Sequence, residues 1–257
     1  MQNAASKAQH HASRITSTLR STGTEDGHHA SRITSLRAFT LIELLVVIGV
    51  IAVLAALTFP AVQGVKRSAI RTRAFNEMTQ IETAIERFQQ KLGYYPPDNP
   101  PSWPSPPLYY ELLGTTNVGT KSAPVYVTLD GSARINGSDL STTFGTGVTG
   151  FVNCNRPGRG DDVPGAMAFV TGFKPGQFMA VTNGSGSPPI SLLGCALDGP
   201  LVCKSDTGVK LNPWRYNSSS PRYNPKTYDL WIDVTVGDQT NRICNWSAKP
   251  LVVGAPY

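Results

Sequence analysis

From Phe39 to Phe59 the chain is apolar or small at every position but one, Glu43, and no other charge falls between Arg37 and Lys66. At about 1.5 Å per residue these 21 residues make a helix of roughly 31 Å, the thickness of a bilayer's hydrocarbon core. A secretory signal peptide has a shorter apolar region, with its small-residue cleavage site behind it. Here the small residue, Ala38, stands in front, so residues 39–60 are expected to remain in the mature protein as a transmembrane helix. A carboxylate at the centre of a spanning helix costs roughly 2.5–3.5 kcal/mol, so Glu43 needs a partner. Cutting the chain just before Phe39 supplies one, a new α-ammonium four residues away.

Pro60 follows the apolar run. Its ring cannot donate to the carbonyl of Ala56, so a kink or a loosened turn is expected there. The helix should nevertheless continue, because Phe75, Met78, Ile81, Ile85, Phe88 and Leu92 recur at spacings of three and four. Gly93 is a natural C′ residue, and Pro96-Pro97 prevents resumption. The expectation is one helix of about 54 residues and roughly 80 Å, with an amphipathic stem over 61–93.

Beyond Gly93 the chain becomes rich in Pro, Gly, Ser and Asn, and residues 94–257 are expected to form a globular head. Strands are predicted at Val125–Leu129 before Asp130-Gly131, at Ala166–Thr171, and at Phe178–Thr182 before Asn183-Gly184. The clearest strand is Tyr228–Val236, with period two and Trp231 the one exception on its polar face; Gly237-Asp238 turns it towards a return strand at Arg242–Trp246. The fold class read from this order is α+β, an antiparallel sheet laying its apolar face on the stem helix.

The net charge of +6 is unevenly spread. Residues 1–38 carry five Lys/Arg and two acids, and the stem carries six Lys/Arg and three acids. The head is near neutral, so the basic balance does not indicate a nucleic-acid partner. In the first segment, His10–Ser17 recurs as His28–Ser35, a polar and basic duplication that reads as a disordered leader or as sequence upstream of the true start. All four histidines lie in it, so removing the leader removes every His-dependent triad or metal site. The four cysteines, Cys154, Cys195, Cys203 and Cys244, all lie in the head. Export to an oxidising compartment is expected to pair them. Of three possible connectivities, Cys195–Cys203 with Cys154–Cys244 is favoured, and buried free thiols are the alternative.

Ala38 followed by Phe39-Thr40-Leu41-Ile42-Glu43 and its apolar run resembles the class III signal of type IV pilins and type II secretion pseudopilins. In that family the residue before the cut is usually Gly, so Ala38 predicts slower processing. Three further strings are similar to the major, G-type pseudopilin: Leu92–Pro96, Asn212-Pro213-Trp214 with Tyr216, and Tyr228–Trp231 with Asn245-Trp246. Residues 98–211 match nothing comparable and read as an enlargement. The resemblance implies a pilin-like fold, cleavage between Ala38 and Phe39 by a prepilin peptidase, and N-methylation of Phe39. It also implies assembly into a filament through Phe39, Glu43 and Pro60, with the head in the periplasm and the helix in the inner membrane lipid. The implied partners are other copies, the secretion system's inner-membrane platform and minor pseudopilins. Relatives hold calcium in the loop between the last two strands. Here only Asp233, Asp238 and Asn241 offer side-chain oxygens, fewer than the six to eight a calcium ion prefers, so no cofactor is expected and Cys244 is the alternative pin.

Other motifs carry less. Gly114–Lys121 narrowly misses a phosphate-binding loop, with the Lys one place late and no strand or helix in the required places. Arg159-Gly160-Asp161 reads as a turn. Two readings compete with a pseudopilus subunit: a type IV or minor tip pilin, and a membrane-anchored ligand-binding protein using Trp103, Trp214 and Trp231. A hydrolase built on Asp161 and Asp162 is disfavoured because no nucleophile motif accompanies them.

Overall fold

A computed structural model of the protein describes residues 39–99, 106–156, 165–181, 189–201, 203–204 and 210–254. The expected leader, including Ala38, lies outside the described residues, as do Trp103, Arg159, Asp161 and Asp162. The chain divides into two units, residues 1–52 and 53–257. In the first, helix α1 (Leu41–Leu92) begins, and every residue from Leu41 to Ala52 is exposed. Nothing in this stretch buries its leucines, isoleucines or valines.

In the second unit α1 becomes one-sided. Ala74, Met78, Ile81, Ile85 and Phe88, spaced four, three, four and three apart, are all buried, while Phe75 and Leu92 are half-buried. That spacing keeps the five on one face of a helix with 3.6 residues per turn. α1 closes as expected at Gly93, which has φ +86 and donates its N–H to Gln89 O at 2.7 Å, a left-handed cap that few other residues adopt cheaply.

Among the described residues there are three four-stranded sheets, not the one expected. The first has order β3-β2-β1-β4, with β1 (Thr115–Asn117), β2 (Val125–Thr128), β3 (Arg134–Asn136) and β4 (Cys154–Asn155). The second has order β5-β6-β8-β7, with β5 (Phe178–Val181), β6 (Ile190–Cys195), β7 (Cys203–Lys204) and β8 (Lys210–Pro213). The third has order β12-β11-β10-β9, with β9 (Arg215–Asn217), β10 (Asp229–Val236), β11 (Gln239–Cys244) and β12 (Ser247–Val253). Among the described residues two short α-helices complete the unit, α2 (Leu108–Leu113) and α3 (Leu140–Phe144), and all six residues of α2 are buried. All pairings are antiparallel except β1 with β4. The class is α+β.

The predicted strand at Ala166–Thr171 does not form. Its backbone groups are met singly: Met167 N–H by Asn153 Oδ1 at 2.9 Å, and Phe169 N–H by Leu112 O at 2.8 Å. A segment anchored by a side chain and a helix-end carbonyl has no ladder to join. The predicted strands at Val125, Phe178 and Tyr228 all form, each close to its expected start.

β10 shows the expected alternation. Leu230, Ile232, Val234 and Val236 are buried, whereas Trp231 and Asp233 are half-buried and Thr235 is exposed. The inner face shares one core with the α1 stripe and with α2. Polar contacts reinforce the docking: Arg71 donates to Asn241 Oδ1 at 3.1 Å and Gln177 Nε2 to Gln80 Oε1 at 2.9 Å.

β12 is the outer strand of the third sheet. It pairs only with β11, through a register shift between Arg242 and Cys244, and exposes Leu251 and Val252.

Candidate functional site

The start of α1 carries the first candidate residues. Thr40 is the N-cap and Glu43 the third helical residue. Glu43 N–H donates to Thr40 Oγ1 at 3.3 Å, while Glu43 Oε2 accepts from Thr40 N–H at 2.9 Å and from the Thr40 hydroxyl at 2.7 Å. This reciprocal capping box satisfies two backbone donors that an α-helix otherwise leaves unpaired. Its signature, Thr followed three residues later by Glu, was present in the sequence and went unread. Phe39 is 73% exposed and the run Leu41–Thr58 has none of its residues buried. By length and composition this stretch can cross a membrane. The helix runs unbroken through Pro60, so termination there is excluded. Two residues earlier the Thr58 hydroxyl bonds back to Leu54 O at 2.7 Å.

A second cluster gathers the C-terminal strings. Trp214 is fully buried. The Tyr216 hydroxyl donates to Pro96 O at 2.9 Å, and the Tyr228 ring lies 5.1 Å from Tyr95 and 5.5 Å from Tyr216. The end of the stem is thereby joined to the third sheet. Asp229, buried at the start of β10, accepts three backbone N–H groups, from Arg222 at 2.7 Å, Tyr223 at 3.0 Å and Asn224 at 2.9 Å. Asn245 accepts from Leu230 N–H at 3.0 Å and donates to Tyr228 O at 2.9 Å, while Asn224 bridges Tyr228 O and Asn245 Oδ1, both at 3.1 Å. Trp246 stacks on Tyr223 at 4.2 Å. Asp229, Asn245 and Trp246 therefore build one corner.

The three calcium candidates do not converge. Asp233 pairs across the hairpin with Arg242, and Asn241 with Val234, so their side chains emerge on opposite faces. Asp233 is already held by Arg242, Nε to Oδ1 at 2.7 Å and Nη2 to Oδ2 at 2.8 Å. Asn241 is buried and takes the guanidinium of Arg71. Asp238 stands exposed in the turn. Among the described residues no group of three or more His, Cys, Asp or Glu side chains is arranged to hold a metal ion. Calcium does not fit the residues present, because two arginines occupy the oxygens it would use. Replacing calcium by a chelator is therefore expected to leave the unfolding midpoint of the full chain unchanged. A site filled at a hundred times its Kd would add about 2.7 kcal/mol. Arg71→Met, by contrast, should cost about 1–2 kcal/mol, since it strands the buried Asn241 oxygen.

The favoured disulfides are likewise absent. None of Cys154, Cys195, Cys203 and Cys244 is joined to another. Cys195 on β6 pairs with Asn212, and Cys203 on β7 with Leu211, so β8 separates them. Two strand spacings amount to about 9.6 Å, beyond the roughly 7 Å that a disulfide spans between Cα atoms. Cys154 lies in the first sheet and Cys244 in the third. Burial, reinforced by the neighbouring Glu77 carboxylate, pushes the Cys195 thiol up, and burial alone does so for Cys203. Neither is poised as a thiolate. Glu77 itself is tied to Arg73 at 2.9 Å.

Gly114–Lys121 forms no phosphate loop: Thr115–Asn117 is β1, and the rest is the hairpin leading to β2. Trp231 is half-buried, with the Arg242 guanidinium 5.9 Å from its ring centre.

No family model and no solved structure matches the chain. Curated proteins do. Over 63 residues the chain is 36% identical to type II secretion system core protein G of Escherichia coli K12, a match covering 24% of this chain and 43% of that protein. It is 37% identical over 125 residues to prepilin peptidase-dependent protein D of the same organism, covering 46% of this chain and 83% of that protein. Fimbrial protein EcpC of Eikenella corrodens is 36% identical over 63 residues, 24% of this chain and 41% of its own length. The chain thus spans less than half of core protein G and most of protein D. With the amino-terminal string, the apolar helix and a relative matched over most of its length in agreement, the chain belongs to the type IV pilin and type II secretion pseudopilin family.

Proposed function

We propose that the protein is a structural subunit of a type II secretion pseudopilus, with a pilin-like fold and no catalytic role. A prepilin peptidase cuts between Ala38 and Phe39 and the new amine of Phe39 is methylated. The span sits in the bacterial inner membrane with the head, residues 94–257, in the periplasm, until the subunit joins a helical filament of its own copies. The secretion system's inner-membrane platform and minor pseudopilins are its further partners. The observation that carries this reading is Glu43, the one acid in the apolar run Phe39–Phe59, where every residue from Leu41 to Thr58 lies unburied.

Processing places a positive terminus within reach of that carboxylate. An incoming subunit whose Phe39 amine meets the Glu43 of its predecessor neutralises both charges in an apolar setting. Out of register, one charge stays unpaired at a cost of several kcal/mol. Glu43 therefore sets register, and the side chains of Leu44–Leu57 supply contact area. Glu43→Val is expected to leave membrane insertion intact and to reduce recovery in sheared filaments at least about tenfold, the ratio that roughly 1.4 kcal/mol produces. Wild-type incorporation of that variant would remove the charge-pair basis, and amino-terminal sequencing of membrane-extracted protein tests the cut at Phe39 directly.

A type IV pilin is the second reading, favoured by the match to fimbrial protein EcpC. Which filament contains the protein in quantity separates the two.

A further inference from the structure

Beside the β1–β2 hairpin lies a cleft of about 640 Å³ that assembly through α1 does not use. Its apolar wall is Pro124 and Val152, and its polar rim carries Thr120, Lys121, Tyr126 and Arg156. Among the described residues Lys121 and Arg156 are the only charged side chains lining it, both positive. Among the described residues the close ion pairs are Arg73–Glu77 and Arg242–Asp233, so neither cleft cation is in one, although the charge of Arg156 reaches the buried Glu111 carboxyl. Arg156 spends one donor on a long 3.4 Å contact to Phe151 O. The nearby acid, Glu111, is buried and already accepts the N–H groups of Val152 and Asn153.

Tyr126 adds a third donor. Its ring is buried, yet its hydroxyl reaches only Thr149 O at 3.5 Å, beyond the usual O–H···O range. The fold keeps that hydroxyl in place by omission: a Cβ on Gly150 would stand 2.9 Å from it. Gly119 permits the tight turn that brings Thr120 and Lys121 to the rim, since a Cβ there would strike the Ala123 carbonyl.

A cleft lined by charges of one sign concentrates its field on the opposite one. An ammonium, a planar guanidinium and a hydroxyl offer donors and few acceptors, the complement of an oxyanion. The volume suits a ring with substituents, and the Pro124–Val152 wall offers apolar contact for a ring face. We propose that this cleft binds an oxyanion carried on a sugar-sized ring, a uronate or a sugar phosphate.

Isothermal titration of the full chain in detergent micelles tests this with glucuronate, glucose 1-phosphate, inorganic phosphate and glucose. At least one ring-bearing anion should bind about tenfold or more tighter than glucose, and tighter than inorganic phosphate. Preference between glucuronate and glucose 1-phosphate identifies the source of the oxyanion, and either preference supports the site. Lys121→Gln with Arg156→Gln should reduce that affinity about tenfold while the unfolding midpoint holds, because both side chains are exposed. Tyr126→Phe should reduce it severalfold. Equal binding of glucose, no heat with either ring-bearing anion, or undiminished affinity in the double variant overturns the proposal.

Discussion

Replacing Asp229 with alanine is expected to destabilise the protein by about 4 kcal/mol. The carboxylate is buried at the first position of β10, and its two oxygens hold the N–H groups of three consecutive residues, Arg222, Tyr223 and Asn224. Alanine deletes all three charge-assisted bonds at once. The loss spreads, because Asn224 also bridges Tyr228 and Asn245, and Tyr223 supports the face of Trp246. Asp229→Asn keeps one acceptor oxygen and should cost about half as much. Denaturant titration followed by tryptophan fluorescence measures both, since the Tyr223–Trp246 stack reports on the same corner. A cost below about 1 kcal/mol for the alanine variant would show that water can serve those amides as well.

Stability should fall by about 3 kcal/mol between pH 4.5 and pH 8, on account of Glu111. Its side chain is fully buried in α2, and burial pushes its carboxyl up to about 7, although the amides of Asn153 and Val152 and the charge of Arg156 pull the other way. A group that holds its proton more tightly when folded stabilises the fold while protonated. That contribution is fully present below the ordinary value of 4.5 and is lost as pH rises through about 7. Glu82, raised by burial and by Glu86, acts in the same direction. Glu111→Gln should flatten most of this dependence. It should also cost about 1–3 kcal/mol at low pH, because the glutamine amide presents donors where one of the two N–H groups needs an acceptor. Unfolding free energies at the two pH values, for wild type and variant, test both statements. An unchanged slope in the variant would assign the pH dependence elsewhere.

The long helix and β10 were legible because each repeats one rule many times. The stem shows a 3.6-residue period from Phe75 to Leu92, and β10 a two-residue period over eight positions. The middle of the chain offers no such repetition. β4 has two residues and β7 two, and the parallel pairing joins Thr115 to Cys154 across a long connection. Such strands are specified by what they meet, not by their own pattern. β12 was missed because Lys249-Pro250 interrupts its apolar residues. The calcium candidates and the cysteines failed for a shared reason: spacing along the chain does not say which face of a strand a side chain takes, or which strand intervenes. The Thr40–Glu43 cap is the opposite case, a purely local signal in which Thr and Glu three residues apart at a helix start specify their own hydrogen bonds.

Pro250 gives the outermost strand a further property. An exposed ladder ending in Leu251 and Val252 invites an edge from a second molecule to dock and continue it. Proline offers no amide hydrogen, so any strand arriving there meets a gap in the row of donors. The β12 edge of the third sheet thereby guards itself against runaway stacking, which leaves the polymerisation proposed above to be governed from the opposite terminus of the polypeptide.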